Sequence, residues 1–569
     1  MIRRCVIILQ SGLANVHRFL HTFISFCLVW ISLSLNISAQ SENRIDSLLA
    51  SMTLEQKVGQ MFMVNLYGDS LTFAGRDLLE TWQPGAVVLF GSNITTPERI
   101  AGLTNSYQET MINAGGVPLF VAVDQEGGII AHLREGFTIF PVPMLLTATA
   151  NSELAFDVGT AMAHELRAVG VNMNLAPVAD LNTNINNPII GRRSPGTNPE
   201  LVSMALAEVV QGMQSAGVMA TVKHFPGHGD TGEDSHTQLP IVSNDRARLD
   251  AIELPPFIAA INADVGAVMV SHIWYTQLEP QPNTPASLSQ SIVTGLLREE
   301  LGYEGIIMTD ALDMDAIDTV LSPEEASLAA IYAGNDLIAI GANVGEQMQA
   351  RSMQAVVDAV RNGELAESRI DASVRRILEA KARFGVLDWS PLDTTQIDLN
   401  PPENAPLIET LFAQGITVLQ DDENPLVPLD PTRTVGIVFP GNEIRVGQFC
   451  TAENVRLLAI TDHPVQDEIN AVVTLSTQVD TIVVFTRDAY YDDAQSSLVN
   501  ALPPDRTIVV ALQSIYDWLR FPDVAGYMMT YSPIAPASQI ACEILLGERP
   551  AMGESAVDLS AFLYANPTP

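Results

Sequence analysis

A chain of 569 residues is several times the roughly 150 residues of one ordinary domain, so two large domains are expected rather than one. With 47 % hydrophobic and 17 % charged residues it has apolar material for full cores, which excludes a largely disordered chain or a coiled coil. Asp and Glu number 66 against 29 Lys and Arg, and a net charge of −37 excludes binding to nucleic acid or an anionic membrane surface through a basic patch.

At the amino end, Arg3, Arg4 and Arg18 precede Phe19–Ser41, a run without Lys, Arg, Asp or Glu that includes Ile37-Ser38-Ala39, with a small residue at the cleavage position. Residues 1–39 therefore read as a signal peptide, and the rest of the chain is expected outside the cytoplasm, secreted or associated with the cell envelope. An uncleaved anchor is the alternative, because the run is close to the ~20 residues that span a bilayer.

Eight short apolar runs then alternate with segments of helical period: Met61–Val64, Ala86–Phe90, Leu119–Val123, Val171–Leu175, Met219–Val222, Ala267–Val270, Gly305–Met308 and Asp336–Ile340. Eight parallel strands with intervening helices fit a (β/α)₈ barrel better than an open doubly wound sheet, the second possibility. The barrel assigns residues 40–387, and Ser368–Phe384, with Ile370, Val374, Ile377 and Leu378 at helical spacing, reads as its last helix. Residues 388–406 hold Pro391, Pro401, Pro402 and Pro406 and read as a linker. Residues 407–569 form a smaller α/β domain, with strands expected at Gly415–Leu419, Val435–Phe439, Thr481–Phe485, Thr507–Leu512 and Tyr527–Thr530. Cys5 and Cys27 belong to the leader; Cys450 and Cys542, far apart, are expected as unpaired core residues, although an oxidising compartment would let them pair.

A barrel predicts polar chemistry just after its strand ends. Asp124, Asp180, Lys223-His224, Ser271-His272 and Thr309-Asp310 follow the third to seventh runs in that way. The densest stretch is KHFPGHGDTGEDSH, Lys223–His236, a glycine-rich loop. His224 and His228 stand four apart, but Pro226 and Gly227 between them and the missing Glu argue against zinc, so no metal is expected. Asp234 and His236 are two apart, close enough for the carboxylate to orient the imidazole as a proton-transfer pair. In GIIMTDALDMDAI, Asp310 ends a strand and suits a nucleophile or base; Asp313 and Asp315 are alternatives better explained by the start of a helix. In AVDQEGG, Asp124 suits hydrogen bonds to hydroxyls, with Gln125 and Glu126 bracing the turn.

Together KHFPGHGDTGEDSH, VDQEGG and IIMTDALDM make the chain resemble glycoside hydrolase family 3, in its bacterial β-N-acetylglucosaminidase (β-hexosaminidase) branch. The resemblance spans about Leu54 to Leu387 and continues at 413–422 and 530–553, which look like the α/β sandwich domain of longer members. It implies a (β/α)₈ barrel followed by that sandwich, no cofactor, and a carbohydrate substrate. It makes Asp310 the nucleophile of a covalent glycosyl-enzyme, His236 the general acid/base with Asp234 its partner, and Asp124, Lys223, His224 and Arg193 sugar-binding residues. The substrate it implies is terminal N-acetylglucosamine of peptidoglycan fragments or chitin-type oligosaccharides; a β-glucosidase and a non-catalytic sugar-binding protein are the alternatives. This chain departs from the family at Ile129 and His132, where arginines are usual, and at Pro195, where an aromatic is usual. An arginine lost there removes a charged, bidentate contact, for which Arg134 is the candidate substitute.

Overall fold

The computed structural model describes residues 42–558 except 398, 400, 401, 403 and 422; the signal-peptide segment 1–39, with Cys5 and Cys27, lies outside the described residues. All eight expected runs form strands, with shifted ends: β1 (Phe62–Asn65), β2 (Ala86–Val88), β3 (Phe120–Val123), β4 (Met173–Asn174), β5 (Met219–Phe225), β6 (Ala267–Val270), β7 (Ile306–Thr309) and β8 (Ile338–Ala339). Their residues are buried throughout, as strands covered on both faces require.

Every neighbouring pair is parallel, in the order β7-β6-β5-β4-β3-β2-β1-β8, and a parallel bridge between Met308 and Leu337 joins the two ends. The sheet thus curls into a barrel and not into the open alternative. Its outer helices start where their sequences cap them: Asn198 accepts from the Glu200 and Leu201 amides ahead of Pro199–Ser215, and Ser322 and Glu325 cap Pro323–Ala333 reciprocally. The last barrel helix runs Glu367–Arg383, with Ile370, Val374, Ile377 and Leu378 inward. Asp336, just ahead of β8, is fully buried and meets Arg298 at 2.6 Å and Arg376 at 3.0 Å, a charge cluster at the amino end of the strands, where stability rather than chemistry is built.

At Leu392 the chain lies against the barrel, its backbone exchanging two hydrogen bonds with the Asn105 side chain, and helix Asn404–Gly415 already begins inside the stretch read as linker. The second sheet holds β9 (Thr417–Gln420), β10 (Val435–Pro440), β11 (Val455–Ile460), β12 (Thr481–Thr486), β13 (Thr507–Ala511) and β14 (Gly526–Met529) in the order β9-β14-β13-β12-β10-β11, with only β9 antiparallel. The strand β11 was not expected; it is the edge of the sheet, and Arg456 interrupts its apolar run.

Cys450 and Cys542 are joined by a disulfide, which corrects their expected unpaired state. Cys450 caps helix Ile444–Phe449 and Cys542 lies in helix Ala537–Leu545, and these two helices pack together although 92 residues separate the sulfurs in sequence. After that helix the chain returns across both domains: Gly553 N donates to Ile416 O at 3.1 Å, Glu554 N to Ala148 O at 2.8 Å, and Thr197 N to Ala556 O at 2.9 Å. Among the described residues no helix is long and apolar enough to cross a membrane.

Candidate active site

The carboxyl ends of the barrel strands deliver one continuous cluster of charges. Asp124 follows β3, Asp180 and Arg193 lie in the long connection after β4, Lys223 and His224 belong to β5, His272 follows β6 and Asp310 follows β7. The register of β5 against β6 shifts between Val222 and Phe225, an irregularity of the kind that re-aims side chains at a strand end. Beyond it, Gly229 presses so closely on the Leu181 carbonyl that a Cβ would sit 1.7 Å from the oxygen, which keeps the turn after β5 against Asp180.

Two cations and two carboxylates form the centre. Lys223 Nζ bonds to Asp124 and lies 2.8 Å from Glu126 Oε1, and Arg193 grips the same Glu126 in a fork at 3.0 and 2.8 Å. Burial pushes the Lys223 ammonium down, but Asp124 and Glu126 more than offset it and raise its pKa. Glu126 shows the converse: burial lifts its carboxyl, while Lys223 and Arg193 bring it to about 2. Asp180, fully buried, accepts from His224 Nδ1 at 2.6 Å and from the His228 amide at 2.6 Å. Arg193 Nη2 stands 3.4 Å from His224 Nε2.

Asp310 is half-buried at the mouth of this cluster. Burial raises its carboxyl, but the His224 and His272 rings, the Ala311 N–H at 2.8 Å and Lys223 outweigh it and hold the pKa at about 2. The group is an anion at neutral pH, as a carboxylate nucleophile must be. His272 is buried beside it, with Nε2 2.9 Å from the Ala311 carbonyl and Nδ1 2.7 Å from Ser287 Oγ; burial lowers its pKa, and the carbonyl places the proton on Nε2.

Asp234 and His236 pair as expected: Asp234 Oδ1 lies 2.9 Å from His236 Nδ1 and 2.7 Å from the His236 amide. They stand apart from the charge cluster, with the His236 side chain 57 % exposed and hydrogen-bonded to Asp234 alone among the described residues. Ser235, between them, is buried, and its Oγ lies 3.1 Å from Nε2 of buried His228, whose Nδ1 meets Thr231 Oγ1 at 3.1 Å. The ring nitrogens of His224 and His228 are thus bonded to different groups, and no set of three or more His, Cys, Asp and Glu among the described residues is placed to hold a metal.

Of the remaining expectations, Asp313 accepts from Asn343 N and Nδ2 at 2.8 and 2.9 Å, and Asp315 sits exposed in the first turn of a short helix, as a capping acid would. Gln125 braces its turn through two bonds to the Leu133 backbone, but Glu126 does more than brace, since it joins both cations. Arg134 does not replace the missing arginines: its guanidinium is held by the Ala131, Gly128 and Ile129 carbonyls. His132 donates its amide to Asp124 O and packs its ring edge-on to Phe90 at 6.3 Å. The parts played by Asp180, His228 and His272 were not foreseen; Asp180 and His272 did carry the signal of a polar residue at a strand end. The second domain buttresses this side of the barrel, as Asn182 Nδ2 donates to the Tyr516 hydroxyl and the Arg193 loop leans on Ala556.

Residues 53–380 match the glycosyl hydrolase family 3 N-terminal domain. The chain belongs to that family. Beta-hexosaminidase A from Pseudoalteromonas piscicida is 34 % identical over 387 residues, 64 % of this chain and 64 % of that protein, so the present chain spans somewhat under two thirds of that relative. The beta-hexosaminidase of Alkalilimnicola ehrlichii is 36 % identical over 282 residues, 48 % of this chain and 79 % of its own. Among solved structures, a family 3 beta-N-acetylglucosaminidase from Paenibacillus sp. str. FPU-7 superposes with a TM-score of 0.79 at 35 % identity, covering 90 % of this chain and 99 % of that one. That coverage extends the likeness from the barrel through the second domain.

Proposed function

We propose that the protein is an exported, retaining β-N-acetylglucosaminidase that releases terminal N-acetylglucosamine from peptidoglycan fragments or chitin-type oligosaccharides. The observation that carries the reading is Asp310: an ionised carboxylate just after β7, beside His224, His272 and Lys223. In the first step its oxygen attacks the anomeric carbon as His236 gives a proton to the departing glycosidic oxygen; in the second, water attacks the anomeric carbon as His236 takes its proton, and the bond to Asp310 breaks, which frees the sugar and restores the carboxylate. Asp124, Lys223, Arg193 and His224 supply the donors and acceptors that sugar hydroxyls need, already oriented by Glu126 and Asp180. The names of the relatives and of the aligned structure support the acetamido sugar over glucose. The leader 1–39 and the Cys450–Cys542 disulfide support export, since disulfides persist in oxidising compartments.

The test is hydrolysis of p-nitrophenyl N-acetyl-β-glucosaminide and the matching glucoside by the chain from Gln40, beside Asp310→Ala. Activity on the acetamido sugar, lost in the variant, is expected; a folded protein inert on both sugars would reject the reading. Intact-mass detection of a sugar adduct on Asp310 after reaction with an activated fluoro-sugar checks the covalent step. Amino-terminal sequencing of the protein recovered outside the cells checks the leader.

A further inference from the structure

The acid/base pair is held to the barrel in an unusual way. Residues 232–238 are largely exposed, and their backbone and side-chain bonds are internal: Asp234 accepts from the His236 amide, and the Thr237 and Gln238 amides return to the Asp234 carbonyl. Among the described residues, a single hydrogen bond ties this segment to the rest of the barrel, the one between Ser235 Oγ and His228 Nε2 at 3.1 Å. Ser235 is 2 % exposed and His228 2 % exposed, so the tie lies inside the protein while the residues on either side of Ser235 reach outward. A hydrogen bond out of reach of water is stronger and better fixed in geometry than an exposed one.

The other end of the tie is equally fixed. The His228 carbonyl accepts from Asn187 Nδ2 at 2.8 Å, and the same Nδ2 reaches Thr231 Oγ1, which bonds His228 Nδ1. The His228 amide donates to Asp180 Oδ1 at 2.6 Å, and the other oxygen of that carboxylate holds His224 Nδ1. The rings of His224 and His228 also meet edge-on at 5.7 Å. One buried carboxylate thus fixes both the imidazole that faces the sugar site and the histidine that holds the acid/base segment.

We propose that Ser235 and His228 are positioning residues of the reaction: their buried hydrogen bond is the pivot that registers the Asp234–His236 pair to the sugar site, through Asp180 and His224. Neither residue exchanges a proton with substrate. Ser235 sets where His236 stands, and His228 transmits the position of the cluster to it. The inference rests on His236 being the general acid/base, and its test separates the two.

The experiment compares kcat/KM, which reports the step up to the glycosyl-enzyme, for N,N′-diacetylchitobiose, whose leaving group needs a proton, and for 2,4-dinitrophenyl N-acetyl-β-glucosaminide, whose leaving group does not. Ser235→Ala is expected to lose about 10- to 100-fold on the disaccharide, the cost of an ångström-scale misplacement, and about twofold or less on the dinitrophenyl sugar. His228→Leu is expected to show the same split, and the double variant to be no worse than the single ones, because both remove one tie. Equal losses on the two substrates would make the bond merely structural and overturn the proposal, as would no loss on either. His236→Ala, run in parallel, decides between failures. If it shows the split and Ser235→Ala does not, the acid/base reading stands and the pivot is wrong; if it shows no split, both are wrong. Ser235→Ala removes one oxygen from a loop segment, so it remains informative even if His228→Leu does not fold.

Discussion

The two halves of the proposed chemistry are built in opposite ways. The nucleophile side is a buried lattice: Lys223, Arg193, Glu126, Asp124, Asp180 and His224 each hold a neighbour at hydrogen-bond distance, on strand ends and tight turns. The proton-transfer side, Asp234 and His236, is one exposed pair on a glycine-rich loop with one buried foothold. A charge that develops on the sugar is best met by dipoles fixed in advance, whereas a proton must be given in one step and taken in the next. Buried and exposed parts therefore divide along the same line as the proposed electrostatic and proton-transfer work.

If that division is right, the largest effect comes from the fixed side. Asp310→Ala should lower kcat by about 10⁴- to 10⁶-fold with the fold intact, measured on the aryl N-acetylglucosaminide, and added azide should not restore the parent stereochemistry. A residual rate within tenfold of the parent would place the nucleophile elsewhere. Next comes His236→Ala, expected to cost about 10²- to 10⁴-fold on the disaccharide and far less on an activated leaving group, with little change in thermal midpoint because the ring is more than half exposed and, among the described residues, hydrogen-bonded to Asp234 alone. A large fall in melting temperature in that variant would erase the contrast between the two sides.

The same contrast explains what the sequence made legible. Barrel strands are covered on both faces and read as continuous apolar runs, so all eight were visible, and the polar residues that follow them marked the active face. The edge strand β11 was hidden because Arg456 interrupts its apolar run near the start. Asp310, Lys223 and His224 stood out by position and motif, and the Asp234–His236 pair by adjacency. Glu126, Asp180 and His228 did not stand out in role, since each acquires it only from partners distant in sequence: Lys223 and Arg193 for Glu126, His224 for Asp180, and Asp180 for His228. The Cys450–Cys542 pair was missed for the same reason, being a contact between helices that only the folded sheet brings together.

Among stability effects, Lys223→Met should be the most severe, because it strands Asp124 and Glu126 beside a single remaining guanidinium; breaking a buried pair of this kind costs about 3–5 kcal/mol. Urea denaturation reads that loss, and a cost under 1 kcal/mol would show that the cluster is well hydrated and not a fixed lattice. Far from both halves, Cys450→Ser with Cys542→Ser should cost about 2–4 kcal/mol in the second domain, with kcat unchanged on the aryl substrate. An equal loss of activity would mean that the second domain does more than buttress Asn182 and the Arg193 loop.

The smallest effect is a pH dependence, and it belongs to the buried side. His228 is held at about 4, against an ordinary value of 6.5, by burial first and then by the neighbouring His224. Between those two values the unfolded chain binds a proton that the folded chain refuses, so stability is fully present above about 6.5 and drains away as the pH falls toward 4. Asp310 and Glu126, each held at about 2 from ordinary values of 3.8 and 4.5, add a second loss that begins only below about 4.5 and continues toward 2. His228 should therefore lower the thermal midpoint from pH 7 to pH 5; His272, also depressed by burial, acts in the same sense, and Asp517, raised to about 6 by burial, acts in the opposite one. His228→Gln should remove the His228 share, so that its midpoint falls less than the parent's over that range while the acid limb stays in place. A variant whose midpoint changes from pH 7 to pH 5 as the parent's does would show that His228 takes up its proton without disturbing the fold, and the buried side would then be softer than its hydrogen bonds imply.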